Sequence, residues 1–253
     1  MSKKINNEMR IYGENACLAV FKNRPEDIIQ FFYTKNKTKD SPNIIRDITT
    51  YLAKNKKAYH MVTSDEIEKL TKATHHEDMS MLVKKKNEIT LDNFIRQKNK
   101  EANPKSLILV LEDVSNPHNV GAILRTAAHF GVDALIISSK KVAETASSIR
   151  VSEGGSEFVN VFESNDIGLT LKLLVKEKYQ IITTSSHAKK DVSSLKWKNK
   201  AVIVFGEEAH GLSKEILNAG ETIKIPGTDF VESLNVSVAS SILMYDFYQK
   251  VCL

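Results

Sequence analysis

Three short stretches of the chain hold side chains whose types and spacing could do chemistry. Ser115-Asn116-Pro117-His118-Asn119-Val120-Gly121-Ala122-Ile123-Leu124-Arg125-Thr126 sets an amide and a guanidinium six residues apart. Gly206-Glu207-Glu208-Ala209-His210-Gly211 brackets two carboxylates and an imidazole between glycines, and Ser233-Leu234-Asn235 places a hydroxyl and an amide ahead of an apolar run. In the first stretch Pro117 suits a helix entry turn, Asn119 is a good cap, and Gly131 supplies the stop. Gly121 and Arg125 share one helix face, and long helical side chains lean towards the N-terminus, so Arg125 is expected over the bare backbone of Gly121, near Asn119. A cation at the positive end of a helix dipole calls for an anion. A phosphate-facing arginine is one reading of this stretch; a capped helix with a surface arginine is the other.

The elements that must position these residues are legible as apolar runs. Leu107–Leu111, Ala134–Ile137, Phe158–Val161, Gln180–Thr184, Ala201–Phe205 and Thr222–Ile225 read as strands, most of them separated by helical segments. That alternation predicts an α/β domain with a mostly parallel sheet and helices on both faces. Ligands of such sheets bind beyond the carboxyl ends of the strands. Small and polar residues gather there in Glu112-Asp113, Thr184-Ser185-Ser186, Gly206-Glu207-Glu208 and Pro226-Gly227-Thr228. No G-x-G-x-x-G or G-x-x-x-x-G-K-[ST] pattern follows any strand, so neither a standard dinucleotide fold nor a P-loop is supported.

In this order and spacing, the three stretches resemble the signature motifs of the SpoU (TrmH-like) RNA 2′-O-ribose methyltransferases of the SPOUT class. The resemblance implies a C-terminal α/β-knot methyltransferase domain, with a trefoil knot around an S-adenosylmethionine pocket. Asn119, Arg125, Glu208, Ser233 and Asn235 match its catalytic positions. Thr184 stands at a strand end facing the cofactor; Gly206, Ile225 and Leu234 match cofactor-contacting positions, and Gly211 is expected to let the loop approach closely. Glu208 is expected to order Arg125 or the substrate sugar, and helix capping is the competing role for Ser233 and Asn235. The family commonly carries methionine after Ile-Pro, where this chain has Gly227. The resemblance also implies a homodimer built on the last helix.

Ahead of these motifs, Ile28–Tyr33, Ala58–Val62 and Met79–Val83 read as strands alternating with helices, one of them capped by Ser64-Asp65-Glu66 and running through Leu70. With Gly13-Glu14-Asn15-Ala16 and His75-His76-Glu77-Asp78, this part resembles the SpoU substrate-binding domain, which has a ribosomal-protein-L30e-like fold. The expected organisation is therefore a disordered N-terminus over 1–9, a small RNA-substrate-binding α/β domain over 10–88, a linker with some helix over 89–103 and the methyltransferase domain over 104–253. His75–Asp78 reads as a polar loop entering a strand, since four consecutive residues rarely converge on one metal ion; no metal is expected.

Charge supports an RNA partner, ribosomal or transfer RNA. Residues 1–103 hold 20 Lys+Arg and 14 Asp+Glu, against 16 and 17 in residues 104–253. A basic first part on a near-neutral second part suits a polyanion. Cys17 and Cys252 form neither a disulfide framework nor a zinc pattern, and no run is long enough to span a bilayer, so a cytoplasmic setting without membrane contact is expected. A non-catalytic RNA- or ribosome-binding protein retaining the fold is the alternative, and a base-directed SPOUT enzyme is a third reading.

Overall fold

Two sheets of different character arise from the alternation of apolar runs and amphipathic segments. The computed structural model describes residues 7–86, 89–228 and 230–253, divided into the units Met1–Glu88 and Ile89–Leu253.

The first unit runs β1 (Glu8–Tyr12), α1 (Glu14–Asn23), β2 (Ile28–Thr34), α2 (Lys35–Asp40), α3 (Pro42–Lys54), β3 (Ala58–Val62), α4 (Ser64–Thr71) and β4 (Met79–Lys84). Its sheet has the order β1-β4-β2-β3. β4 is antiparallel to both neighbours, and β3 is parallel to β2. Ile11, Phe31, Ile48, Leu52, Ile67, Met79 and Met81 fill the core. Cys17 belongs to it too: complete burial pushes its thiol far above the usual range, so it stays protonated and acts as a small apolar filler.

Two expectations need revision here. Glu8 and Met9 are not part of a disordered N-terminus, because they pair with Lys84 and Val83 in the ladder; residues 1–6 lie outside the described residues. The helix at Ser64 is capped one residue earlier than the Ser-Asp-Glu run suggests: Thr63 and Glu66 form a reciprocal capping box. The His75–Asp78 stretch serves as a fastener. Glu77 Oε2 accepts the Glu14 N–H at 2.9 Å, holding the first turn of α1, and Asp78 Oδ1 accepts the Ser64 hydroxyl at 2.8 Å. Buried His76 accepts the Asp78 N–H at 3.1 Å through Nδ1.

The second unit begins with α5 (Leu91–Lys98) and β5 (Ser106–Leu111), then α6 (Pro117–His129), β6 (Ala134–Ile137), α7 (Lys140–Ala143), α8 (Ala146–Val151) and β7 (Asn160–Glu163). It continues through α9 (Ile167–Lys176), β8 (Gln180–Thr184), β9 (Lys190–Asp191), β10 (Lys200–Phe205), α10 (Lys214–Leu217), β11 (Glu221–Lys224) and α11 (Val236–Phe247). The seven strands lie in the order β7-β6-β5-β10-β8-β11-β9, every pair parallel. Apolar clusters cover both faces, as an all-parallel sheet requires.

The stretch 89–103 is not simply a linker. Thr90 caps α5, and its Phe94 and Ile95 are buried against Ile108, Val110 and Val204; apolar residues at helical spacing were enough to dock it. β7 starts at Asn160 rather than Phe158, because Gly155–Glu157 forms a 3-10 turn that ends on Phe158. Trp197 packs edge-on against Phe247 and donates to Asp246 at 2.7 Å, so it covers the sheet edge.

Because β5, β10, β8 and β11 are adjacent and parallel, their carboxyl ends share one edge of the sheet. α6 leaves that edge and packs hard on α8. A Cβ on Gly121 would lie 2.6 Å from the Ser148 carbonyl oxygen and 2.8 Å from Val151 Cβ. Gly121→Ala should therefore cost roughly 1–3 kcal/mol by overpacking, read as a lowered urea midpoint. Gly227→Ala, where nothing lies within 4 Å of the added carbon, should leave the midpoint unchanged.

Candidate active site

Pro117 takes the first position of α6, so the residue just before it becomes the cap. Asn116 accepts the His118 N–H at 2.9 Å. The cap is thus not Asn119, which lies within the first turn and is buried. Relieved of capping, the Asn119 carboxamide works between two other segments. Its Nδ2 donates a short bond to Glu208 Oε1, and its Oδ1 accepts from Asn235 Nδ2 at 3.1 Å. Asn235 in turn caps α11, accepting from the Ser237 N–H at 2.8 Å and its hydroxyl at 2.6 Å. Capping, set out from sequence as the competitor of a site role, leaves Asn235 free to bond Asn119 as well, because a carboxamide offers an acceptor and a donor at once.

The loop after β10 is shaped by two glycines with different tasks. Gly206 makes the close approach: a Cβ there would lie 2.2 Å from the Gly211 carbonyl carbon. Gly211, expected to provide that approach, instead supplies the turn with φ +66° and has open space at its Cβ. Its N–H closes the loop on the Glu207 carbonyl at 3.0 Å. Glu112, at the end of β5, fastens the far side by accepting from both the N–H and the hydroxyl of Ser213, at 2.9 and 2.8 Å. Sequence reasoning placed Glu112 at a strand end on the ligand side but missed its bonds to Ser213. It also missed His118, whose Nε2 lies 3.2 Å from Ser147 Oγ and ties the start of α6 to α8.

The expected cofactor positions fall at this edge. Thr184 Oγ1 donates to the Val204 carbonyl at 2.9 Å, so its side chain links β8 to β10. Gly206 follows β10, half-buried Ile225 follows β11, and Leu234 is 42% exposed beside Asn235. This set is main chain and apolar surface with one hydroxyl, and no carboxylate among the four. It fits a purine and a cationic sulfonium side chain better than a phosphorylated nucleotide, since none of the four is a cation. Ser233 is exposed and shares no hydrogen bond with Asn119, Glu208 or Asn235 among the described residues.

Arg125 departs most from expectation. Gly121 is occupied by the packing with α8, so the guanidinium does not lie over it. The Arg125 side chain is 63% exposed, with Nη1 3.9 Å from Glu153 Oε1. Glu208 is engaged with Asn119 rather than ordering Arg125. One cluster therefore holds Asn119, Glu208 and Asn235, while Arg125 stands outside it on the same helix.

Two family models match this chain: the SpoU rRNA methylase family over residues 106–245, and the RNA 2′-O ribose methyltransferase substrate-binding domain over residues 10–89. The chain belongs to the SpoU rRNA methylase family. It is an RNA 2′-O-ribose methyltransferase with an RNA-substrate-binding domain at its N-terminal side. An uncharacterized tRNA/rRNA methyltransferase of Escherichia coli O157:H7 is 34% identical over 244 residues, covering 96% of this chain and 68% of that protein. The 23S rRNA (guanosine-2′-O-)-methyltransferase RlmB of Vibrio vulnificus is 31% identical, covering 93% and 94%. The chain spans about two thirds of the length of the Escherichia coli relative and of a similar one from Haemophilus influenzae. In fold it resembles the crystal structure of an RNA 2′-O ribose methyltransferase, with a TM-score of 0.79 at 21% identity over 98% of this chain and 90% of that one. The SpoU methyltransferase AviRb from Streptomyces viridochromogenes, solved with its cofactor AdoMet, gives 0.75 at 16% identity, covering 96% and 90%.

The amide cluster makes a prediction with a sign. Asn119→Asp removes the donor to Glu208 and sets two carboxylates face to face. Their repulsion is present when both are ionised and relieved as protonation joins them, so the variant should lose more stability at pH 8 than at pH 5. Melting temperatures of variant and wild type at the two pH values would check it; the gap between them should narrow as pH falls.

Proposed function

We propose that methyl transfer to a ribose 2′-hydroxyl takes place at the carboxyl edge of the second unit's sheet, with Asn119, Arg125, Glu208, Ser233 and Asn235 as its catalytic residues. The observation that supports this most is the Asn119–Glu208–Asn235 hydrogen-bond chain, which joins the three motif segments at one point. S-adenosylmethionine, when bound, supplies an electrophilic methyl group on a sulfonium. The four cofactor positions Thr184, Gly206, Ile225 and Leu234 hold it, with Gly211 shaping the loop; Ile225 and Leu234 give the adenine its apolar contact and the main chain its polar ones.

The chain's own residues then orient the acceptor ribose. Glu208, negative and held by Asn119, accepts a hydrogen bond from a ribose hydroxyl and fixes the sugar. Asn235 and Ser233 line the approach. A guanidinium donates hydrogen bonds and accepts none, so the task of Arg125 is to grip the phosphate beside the target ribose and to stabilise the developing alkoxide. Its exposure leaves it able to reach RNA. Orientation of this kind supplies most of what the reaction needs from protein, because the methyl donor is already activated.

The protein acts as a homodimer. Val238, Ile242 and Tyr245 form an exposed apolar stripe at helical spacing along α11, the helix that Asn235 caps. Cytoplasmic RNA is the substrate pool, ribosomal or transfer RNA; among the described residues, no helix is long and apolar enough to cross a membrane. The domain division at about residue 88 and the trefoil knot belong to this reading, and the strand order, with β10 set between β5 and β8, suits a knotted passage.

Methyl transfer from labelled S-adenosylmethionine to total RNA of cells lacking this gene tests the reading. Arg125→Ala should lower the rate by at least about 100-fold, with cofactor affinity unchanged within about three-fold. Full activity in that variant would overturn the assignment. Ile242→Glu should give a monomer in sedimentation velocity and lose activity with it.

A further inference from the structure

The first unit carries a row of groups that its core does not use. Phe32 and His60 are register partners on β2 and β3. Their rings lie 5.3 Å apart at an interplanar angle of 28°. On the other side, the Arg10 guanidinium carbon stands 5.2 Å from the centre of the Phe32 ring. β4 separates β1 from β2, and it places small, buried Ser80 opposite Phe32 in the register. Arg10 passes over that serine, with Nη1 3.5 Å from its Oγ. Three planar groups thus form one stack across the sheet, guanidinium on phenyl on imidazole, with His60 at its exposed end.

Alternation puts this row on one face and the core residues Phe31, Met79 and Met81 on the other. Exposure rises along the row, from half-buried Arg10 and Phe32 to exposed His60 on the edge strand β3. Exposed Lys84 lies on the same face of β4, and Lys85 follows it. Glu8, paired with Lys84, is the one carboxylate that the described strands add to this face.

We infer that the Arg10–Phe32–His60 stack is a platform that an unpaired base of the substrate RNA extends by stacking on exposed His60, with Lys84 and Lys85 meeting the phosphates that follow it. Flat π-surfaces backed by a cation accept any base face, and single-stranded RNA offers bases to such surfaces while a duplex hides them. The basic balance of residues 1–103 complements the phosphate chain. The platform rests on the reading of this chain as an RNA methyltransferase and adds to it where the substrate is held, and in which state.

Anisotropy of the full chain with a labelled single-stranded oligoadenylate of about a dozen nucleotides, and with an RNA duplex of equal length, tests the platform. His60→Ala should weaken single-strand binding about ten-fold and duplex binding hardly at all. His60→Trp should restore it. Met61→Ala, one residue along the same exposed strand but on the opposite face, should change neither, and S-adenosylmethionine binding should be the same in all three variants. Equal behaviour of the position 60 and 61 variants, or equal loss on both RNAs, would overturn the platform alone. A wild-type chain that binds neither RNA would overturn the platform together with the reading beneath it.

Discussion

A single carboxamide, that of Asn119, must give a hydrogen bond and take one at the same time, and the arrangement of the active edge depends on that requirement. It donates to Glu208 and accepts from Asn235. A carboxylate could only accept and an ammonium only donate, so no charged residue replaces it. A hydrogen bond to a charged partner contributes about 1.5–3 kcal/mol and a neutral one about 1 kcal/mol. The larger effect is geometric. The sheet brings the ends of β5 and β10 side by side, and α6 starts close enough for Asn119 to reach the β10 loop. Glu112 holds the other side of that loop through Ser213.

Two kinds of group emerge around this point. Asn119 and Asn235 are fixed by their bonds, and each also belongs to a helix start, so their orientation is set by secondary structure. Arg125, two turns further along α6, is set by none of this and extends into solvent. Fixed groups suit holding a sugar, whose position must not vary; a long exposed cation suits a phosphate, which arrives with the substrate. The exposed stripe of α11 is coupled to the same cluster through Asn235, so helix start and cluster share one residue.

Much of this was legible in the chain. The apolar runs gave the strands, the Gly and Asn positions gave the turns, and the three motifs gave the family. Pairings in space were harder. Asn119 was expected to cap α6, but Pro117 at the first helical position hands that task to Asn116, and only then does Asn119 become available. Gly121 looked like a seat for Arg125, yet the constraint on it comes from α8, some 27 residues on, which no local spacing announces. The close approach expected of Gly211 belongs to Gly206, since close approach and positive φ both select glycine and a sequence does not distinguish them. Some helix was expected where α5 lies, but its docking was not legible, because its few apolar positions stand among charged residues.

The separation of the bonded partners carries a kinetic consequence. Asn119 meets Glu208 across 89 residues and Asn235 across 116, while β10 joins β5 across an equally long span. Contacts this distant in the chain form slowly, because loop-closure entropy is lost before any pairing offsets it. The helices and the β5–β6 pair have partners close at hand and no such delay. The site is thus closed by some of the last contacts to form, and a molecule that has assembled most of its sheet is still not an enzyme.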